Sequence, residues 1–268
     1  MTPGAVLAAK KRILARLRIA DFRFVEIESK RRVVPEEAAD LRRFLLSRKK
    51  VRHEKATFFF DQFLDTPDME LFKRGASLRL RYKREGTAVY LQYKGPGFTR
   101  GGVLYRSEFR SDRLTHVLKE ESHHDIIQFN ETSVAAILAR HAEAPITVAM
   151  RRHLGDRVVR RITTGPILSM YQKDKFAVDL GEVFLEPSLD RVFAFHVGRS
   201  GVHPLSTFCE YENEVKAHRG YEDEKLARID DLLGFDDRLA ESFDLRHEPL
   251  DKYHRCASFF ARPPGRRG

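Results

Sequence analysis

The chain has 268 residues, 42% hydrophobic and 33% charged, enough for one large domain or two small ones with a real core. Its two cysteines, Cys209 and Cys256, are too few for a disulfide framework and lack metal-site spacing, which points to a reduced, cytoplasmic setting; no apolar run approaches the length of a membrane span. Net charge is +10, but residues 1–20 hold five basic residues and no acid and residues 262–268 hold three more. The body is therefore rich in both signs, so weak contact with nucleic acid is expected only from the basic ends.

The segment 5–19 predicts a basic amphipathic helix with Leu7, Leu14 and Leu17 on one stripe, either packed on the body or serving as a targeting arm. A short strand follows at 24-FVEIESKRR-32. Next, 35-PEEAADLRRFLLSRK-49 has Pro at the first helical position, acids in the first turn, and Leu41, Phe44 and Leu45 on one face. Strands are predicted over 57–67, 77–84, 88–96 and 103–110, separated by turn-like segments with Gly or Pro. A helix is predicted at 131–142, then strands at 146–154, 157–164, 167–180 and 208–217, and a closing helix at 221–235 striped by Leu226, Ile229, Leu232 and Leu233. Strands dominate without βαβ alternation, which predicts an α+β fold on an antiparallel sheet.

Residues two apart on a strand share a face. By that parity Glu26, Glu28 and Lys30 lie together, as do Arg79, Arg81 and Lys83; Gln92 and Lys94; Arg106, Glu108 and Arg110; and Glu210, Glu212, Glu214 and Lys216. Each charged face backs onto an apolar or aromatic one. A one-layer sheet with its charges in water satisfies that pattern, and so does a closed barrel with a polar interior and helices outside. The segregation of Arg-x-Arg from Glu-x-Glu-x-Lys favours the barrel, with an interior suited to a polyanion held together with a divalent metal. Lys173 and Lys175 share parity and suit either the interior or an exposed hairpin. His123 and His124 read as solvated surface, and Cys209 as a packing residue.

The Glu26-x-Glu28-x-Lys30 strand, the run 60-FDQFLDTPDMELFKRGASLRLRYK-83, the strand ending Lys94-Gly95-Pro96 and the late acidic strand with Glu212 and Glu214, in that order, resemble the CYTH superfamily, the triphosphate tunnel metalloenzymes. The matching pieces span roughly residues 24 to 217. The resemblance implies a closed eight-stranded antiparallel β-barrel with flanking helices, formed by residues 21–261 between a basic extension (1–20) and a basic tail (262–268). It implies Mg²⁺ or Mn²⁺ held by Glu26, Glu28, Glu212 and Glu214, with Glu210 at the tunnel mouth. Phosphates would be gripped by Lys30, Arg79, Arg81, Lys94, Arg106, Arg152, Lys216 and Lys252, and catalysis would centre on Glu26, Glu28 and Lys30. Of the adjacent Arg151 and Arg152 only one can face inward from a strand.

The implied activity is metal-dependent hydrolysis of inorganic triphosphate or a nucleoside triphosphate. The partner is then a triphosphate-containing small molecule or polyphosphate. The same tunnel also suits polyphosphate synthesis, adenylyl cyclisation, or non-catalytic binding of polyphosphate or nucleotide. The segments 213-NEVK-216 and 251-DKYHR-255 are similar to elements of the polyphosphate-polymerase branch, with Asp251 where that branch carries serine.

Overall fold

The structure, a computed structural model, describes residues 3–83, 89–114, 131–198 and 200–260. His123, His124 and the basic tail lie outside the described residues. Among these, ten strands form one antiparallel sheet: β1 (Val25–Val33), β2 (Val51–Asp65), β3 (Ser77–Lys83), β4 (Val89–Lys94), β5 (Phe98–Arg100), β6 (Val103–Arg110), β7 (Thr163–Asp179), β8 (Val183–Gly198), β9 (Gly201–Ala217) and β10 (Arg246–His247). β1 pairs on both sides, setting Glu28 opposite Glu214 of β9 and Glu26 opposite Arg106 of β6. That double pairing closes β1-β9-β8-β7-β2-β3-β4-β6 into a ring of eight strands, with β5 and β10 as short additions. Closure removes the free edges an open sheet would expose.

The period-two alternation decides what the ring encloses. Ile27, Leu78, Leu80, Leu91, Tyr93 and Val103 turn outward and are buried under helices in the largest apolar cluster. Those helices are α1 (Pro3–Leu17), α4 (Glu131–Arg140), α5 (Pro145–Leu154) and α7 (Ile229–Ala240), with α2 (Ala38–Ser47) burying Leu41 and Leu45 against Val33, Phe176 and Tyr211 in a second outer cluster. On α1 the buried stripe is Ile13 and Leu17, whereas Leu7 faces outward, 52% exposed. A third apolar cluster forms where the inward residues of the long strands turn apolar: Phe59, Phe63, Ile167, Tyr171, Val192, Ala194 and Phe208 enclose Tyr253, Cys256 and Ala257 of α8 (Lys252–Phe260). The helix α8 thus fills one end of the ring. No helix among the described residues is long and apolar enough to cross a membrane.

Two predicted strands are helices instead. Residues 145–154 start with Pro145 at the first helical turn, and the buried residues Ile146, Ala149, Met150, His153 and Leu154 repeat at helical spacing. Residues 157–159 belong to α6 (Asp156–Val159), and β7 begins only at Thr163. The strand β8 lies outside the predicted elements because Pro187 interrupts it; the β7 ladder has no pair between Ser188 and Leu185 although its register is unchanged across them, so it is broken at the residue that lacks an N–H, while Pro187 stays opposite Asn213 of β9.

Several motif residues earn their place structurally. Asp65 of the Asp-Thr-Pro run accepts the backbone N–H groups of Thr66 (2.6 Å), Leu71 (2.9 Å) and Phe72 (3.0 Å) and the Tyr253 hydroxyl (2.6 Å), tying α3 (Glu70–Lys73) to α8. Gly95 lies so close to α5 that a Cβ there would sit 2.7 Å from the His153 ring, which requires glycine after Lys94. Outside the ring, the fully buried Asp236 of α7 accepts from Ser29 of β1 and from Tyr211 (2.9 Å) and Asn213 (2.9 Å) of β9.

Asp236→Ala would leave a hydroxyl, a phenol and an amide buried without their acceptor. The expected cost is at least about 3 kcal/mol, since each of the three orphaned buried groups costs about 1–3 kcal/mol. Urea unfolding measures it, and an unchanged midpoint would show that the clasp carries no stability.

Candidate functional site in the tunnel

The open part of the ring interior is a cavity of about 490 Å³. Its described lining carries eleven lysine and arginine side chains against seven carboxylates. The parity argument brings Glu26, Glu28, Lys30, Arg79, Arg81, Lys94, Arg106, Glu212, Glu214 and Lys216 to this one space. Lys173 and Lys175 face it as well, so the exposed-hairpin alternative does not hold for them.

Arg79 and Arg81 project from β3 toward Asp61, directly opposite Arg81 on β2. Asp61 is fully buried and receives Arg81 at 2.8 Å through both carboxylate oxygens and Arg79 at 2.9 Å. Arg79 also donates twice to Gln92 Oε1. Burial works against charge on Asp61, but the two guanidinium groups prevail and keep its carboxyl below the usual range. Sequence reasoning missed Asp61; the available signal was a lone acid at inward parity between Phe59 and Phe63.

Glu26, Glu108 and Glu214 form a carboxylate cluster whose oxygens approach within 4.8 Å of one another. Lys94 contacts Glu26 at 2.6 Å and Glu108 at 3.6 Å, and Lys216 contacts Glu214 at 2.5 Å. Beside them Arg106 donates to Glu26 (3.0 Å) and Asp251 (2.7 Å) and stands 3.5 Å from Glu28, whose buried Oε1 has no hydrogen-bond partner among the described residues. Burial, with Glu26 adding repulsion, raises the Glu28 carboxyl. Glu214 is pushed up to about 8 by burial and, despite Lys216, by Glu26 and Glu108. Glu28 and Glu214 are thus short of positive charge, whereas burial opposes charge on Glu108 but Lys94 and Lys216 hold its carboxyl well below the usual range; an all-oxygen donor set of this kind suits a hard divalent cation. The residues present fit a metal of that class. Glu108, absent from the expected ligand set, belongs to this cluster, and its signal was parity with Arg106 and Arg110.

A second cluster, Asp190, Glu210 and Glu212, is equally tight and is met by lysines at short range, although Asp190 Oδ1 and both Glu210 carboxylate oxygens make no hydrogen bond among the described residues. Glu212 receives Lys30 at 2.7 Å, Lys173 at 2.8 Å and Lys252 at 2.8 Å. Burial opposes charge on Glu212, yet Lys173, Lys252 and Lys30 hold its carboxyl well below the usual range. Glu210 is not at a tunnel mouth: it is fully buried behind the lining. Asp190 was not anticipated, because it lies on the unpredicted β8.

Arg152 is corrected by the fold. It lies exposed on the outer face of α5, donating to the Arg18 carbonyl at 3.3 Å, and Arg151 pairs with Asp156 at the same surface. Neither lines the tunnel, because their segment is a helix outside the ring and not a strand within it. Asp251 has a defined role: Oδ1 accepts the His254 N–H (2.8 Å), capping α8, while Oδ2 receives Arg106.

A model of the CYTH domain family matches residues 25–242. Among solved structures, an adenylyl cyclase candidate from Hippeastrum, described as having a dominant triphosphatase activity, superimposes with a TM-score of 0.55 at 18% identity, covering 89% of this chain and 98% of that one. The PH1819 protein of Pyrococcus horikoshii OT3 gives 0.48 at 15% identity over 87% and 98% of the two chains. The Mimivirus capping-enzyme triphosphatase gives 0.46 at 8% identity over 90% and 99%. No curated protein sequence matches the chain.

Asp61→Asn would leave Arg79 and Arg81 facing a neutral partner in a largely buried wall. Breaking such a pair from one side is expected to cost about 3 kcal/mol or more. Chemical denaturation reads this directly, and wild-type stability in the variant would mean that the arginines do not depend on Asp61.

Proposed function

The chain belongs to the CYTH domain family, and from that premise we propose that it hydrolyses a triphosphate-bearing substrate in its tunnel with Mg²⁺ or Mn²⁺. The observation that carries this reading is the juxtaposition, in one cavity, of a cationic surplus and a tight carboxylate cluster in and beside which Glu214 and Glu28 are under-compensated. A pure anion site gains nothing from Glu26, Glu28, Glu108 and Glu214, because carboxylates repel phosphate unless a metal stands between them.

In this reading Glu26, Glu108 and Glu214 hold the divalent ion, with Glu28 beside them. When bound, the ion supplies Lewis acidity toward phosphate oxygens and lowers the pKa of a water. Arg79 and Arg81, held by Asp61 and Gln92, offer phosphate oxygens the guanidinium N–H groups those partners leave free. Lys94, Arg106, Lys173, Lys175 and Lys216 add positive charge around the phosphates, stabilising the charge that develops during in-line displacement. Lys30 has its ammonium fixed by Glu212 at 2.7 Å, so it orients the interior as a rigid cation. Glu212, engaged by three lysines, serves as their anchor and not as a metal ligand.

Hydrolysis is favoured over polymer synthesis by the end of the cavity lined by Ser77, Asp251, Lys252 and Tyr253. That end is buried beneath α8, so a growing chain has no exit there. The nucleotide-binding and cyclase alternatives predict different products and are separated by product analysis.

The test is incubation of the purified full chain with inorganic triphosphate, ATP, GTP, thiamine triphosphate or long-chain polyphosphate, with Mg²⁺ or Mn²⁺. Phosphate, cyclic nucleotide and polymer are each quantified. Phosphate release from triphosphate or a nucleoside triphosphate is expected, abolished by EDTA. Glu26→Gln should lower kcat on the order of 10²–10³-fold, the scale of losing one group that stabilises transition-state charge. Arg152→Ala should leave turnover unchanged. Metal-independent release, or no release from any substrate, would overturn the proposal.

A further inference from the structure

The two carboxylate clusters differ in what neutralises them. In the first, Glu26, Glu108 and Glu214, together with Glu28, share Lys94, Lys216 and Arg106. Arg106 is drawn on by Asp251 as well, at 2.7 Å. Among the described residues, four carboxylates therefore share three cations in direct contact, one of which is claimed by a fifth acid, with the buried Lys225 acting on Glu214 and Glu26 from farther off.

In the second, the Lys252 ammonium contacts all three acids at once: Asp190 at 2.7 Å, Glu212 at 2.8 Å, and Glu210. Lys30 adds Glu212 at 2.7 Å, and Lys173 adds Asp190 at 3.2 Å and Glu212 at 2.8 Å. Three carboxylates meet three ammonium groups, and Arg255 stands 3.6 Å from Glu210 besides. An ammonium has three N–H donors and no acceptor, so three surrounding carboxylates saturate it.

Lys252 is also held in place from behind. It is 5% exposed and opens α8, whose next residue, Tyr253, donates to Asp65 at 2.6 Å. Cys256 and Ala257 are fully buried within the ring, and Asp251 caps the first turn through the His254 N–H. Withdrawing the ammonium would mean unseating this helix or leaving three carboxylates short of a cation, and a buried charge stripped of its partner is costly.

We propose that the Lys252 ammonium is a built-in cation occupying the position a second divalent ion would take among Asp190, Glu210 and Glu212, so that the tunnel takes up a single divalent ion, at Glu26, Glu108 and Glu214. This inference rests on the metal-dependent reading above. It makes Lys252 a positioning residue for the closed end of the tunnel and not a grip on phosphate. The charge balance at that end then stays fixed at any metal concentration, while the open part of the tunnel remains metal-responsive.

Titration of the full chain with Mn²⁺, followed by the electron paramagnetic resonance signal of the free ion, tests this without substrate. Wild-type protein should bind one Mn²⁺ per chain. Lys252→Met, which keeps the side-chain bulk and removes the charge, should bind two, and Lys252→Arg should return to one. Glu214→Gln in the wild-type background should lose the single ion; this keeps the test decisive if Lys252→Met does not fold. Two ions on wild-type protein, one remaining on Glu214→Gln, or one on folded Lys252→Met would overturn this inference while leaving metal-dependent hydrolysis intact. No Mn²⁺ on wild-type protein would remove the metal reading itself and this inference with it.

Discussion

Everything in this molecule is organised around the need to compensate charge out of water. Moving a carboxylate or an ammonium into a protein interior costs several kcal/mol per ion, repaid only by close partners of opposite sign. The ring encloses many such groups, and they occur in interlocked sets: Asp61 with Arg79 and Arg81, Glu26 with Lys94 and Arg106, and Glu212 with Lys30, Lys173 and Lys252. Pairing partners come from different strands, so compensation and closure depend on one another. Opening the ring at β1 would separate Glu26 from Arg106 and Lys30 from Glu212 in one step.

The same constraint turns the sheet inside out. With charges inside, the apolar face of each strand must be covered from outside, and α1, α2, α4, α5 and α7 do this. At one end the inward residues revert to apolar type, and α8 fills the space with Tyr253, Cys256 and Ala257. The interior is therefore divided along its axis into a polar part open to a ligand and an apolar part occupied by the chain itself. Lys252 stands at the boundary, where the apolar plug ends and the charged wall begins.

Much of this was legible in alternation alone. Parity assigned the inward faces of β1, β3, β4, β6 and β9 correctly, because a one-residue slip would have exchanged every charge for an apolar side chain. The helix at 145–154 was misread because Ile146, Thr147 and Val148 carry β-branched character, while the helical spacing from Ile146 to Leu154 becomes decisive only with an outer surface to bury it. That error also misplaced Arg152. Strand β8 was lost to Pro187, and with it Asp190 and Glu186. Asp61 was overlooked because its importance lies in a cross-strand pairing with Arg81 that no local pattern encodes. Period-two parity can say which residues face inward, but it cannot say which inward residues meet across the lumen. Glu108 therefore joins Glu26 and Glu214, while Glu212, two residues from Glu214, belongs to a different cluster.

Asp251 shows how the two halves of the interior are joined. One carboxylate oxygen caps α8 and the other holds Arg106, which in turn reaches Glu26 and Glu28. A serine hydroxyl can cap a helix as well as an aspartate can, but it carries no charge to hold a buried guanidinium. Burial disfavours a charge on Asp251, yet His254 and Arg106 hold its carboxyl well below the usual range, so it remains an anion at the helix N-terminus. Asp251 therefore ties the seating of the plug helix to the orientation of Arg106. Arg106 faces a tight carboxylate cluster, so any ion or phosphate entering that cluster acts on a guanidinium whose other end is fastened to α8.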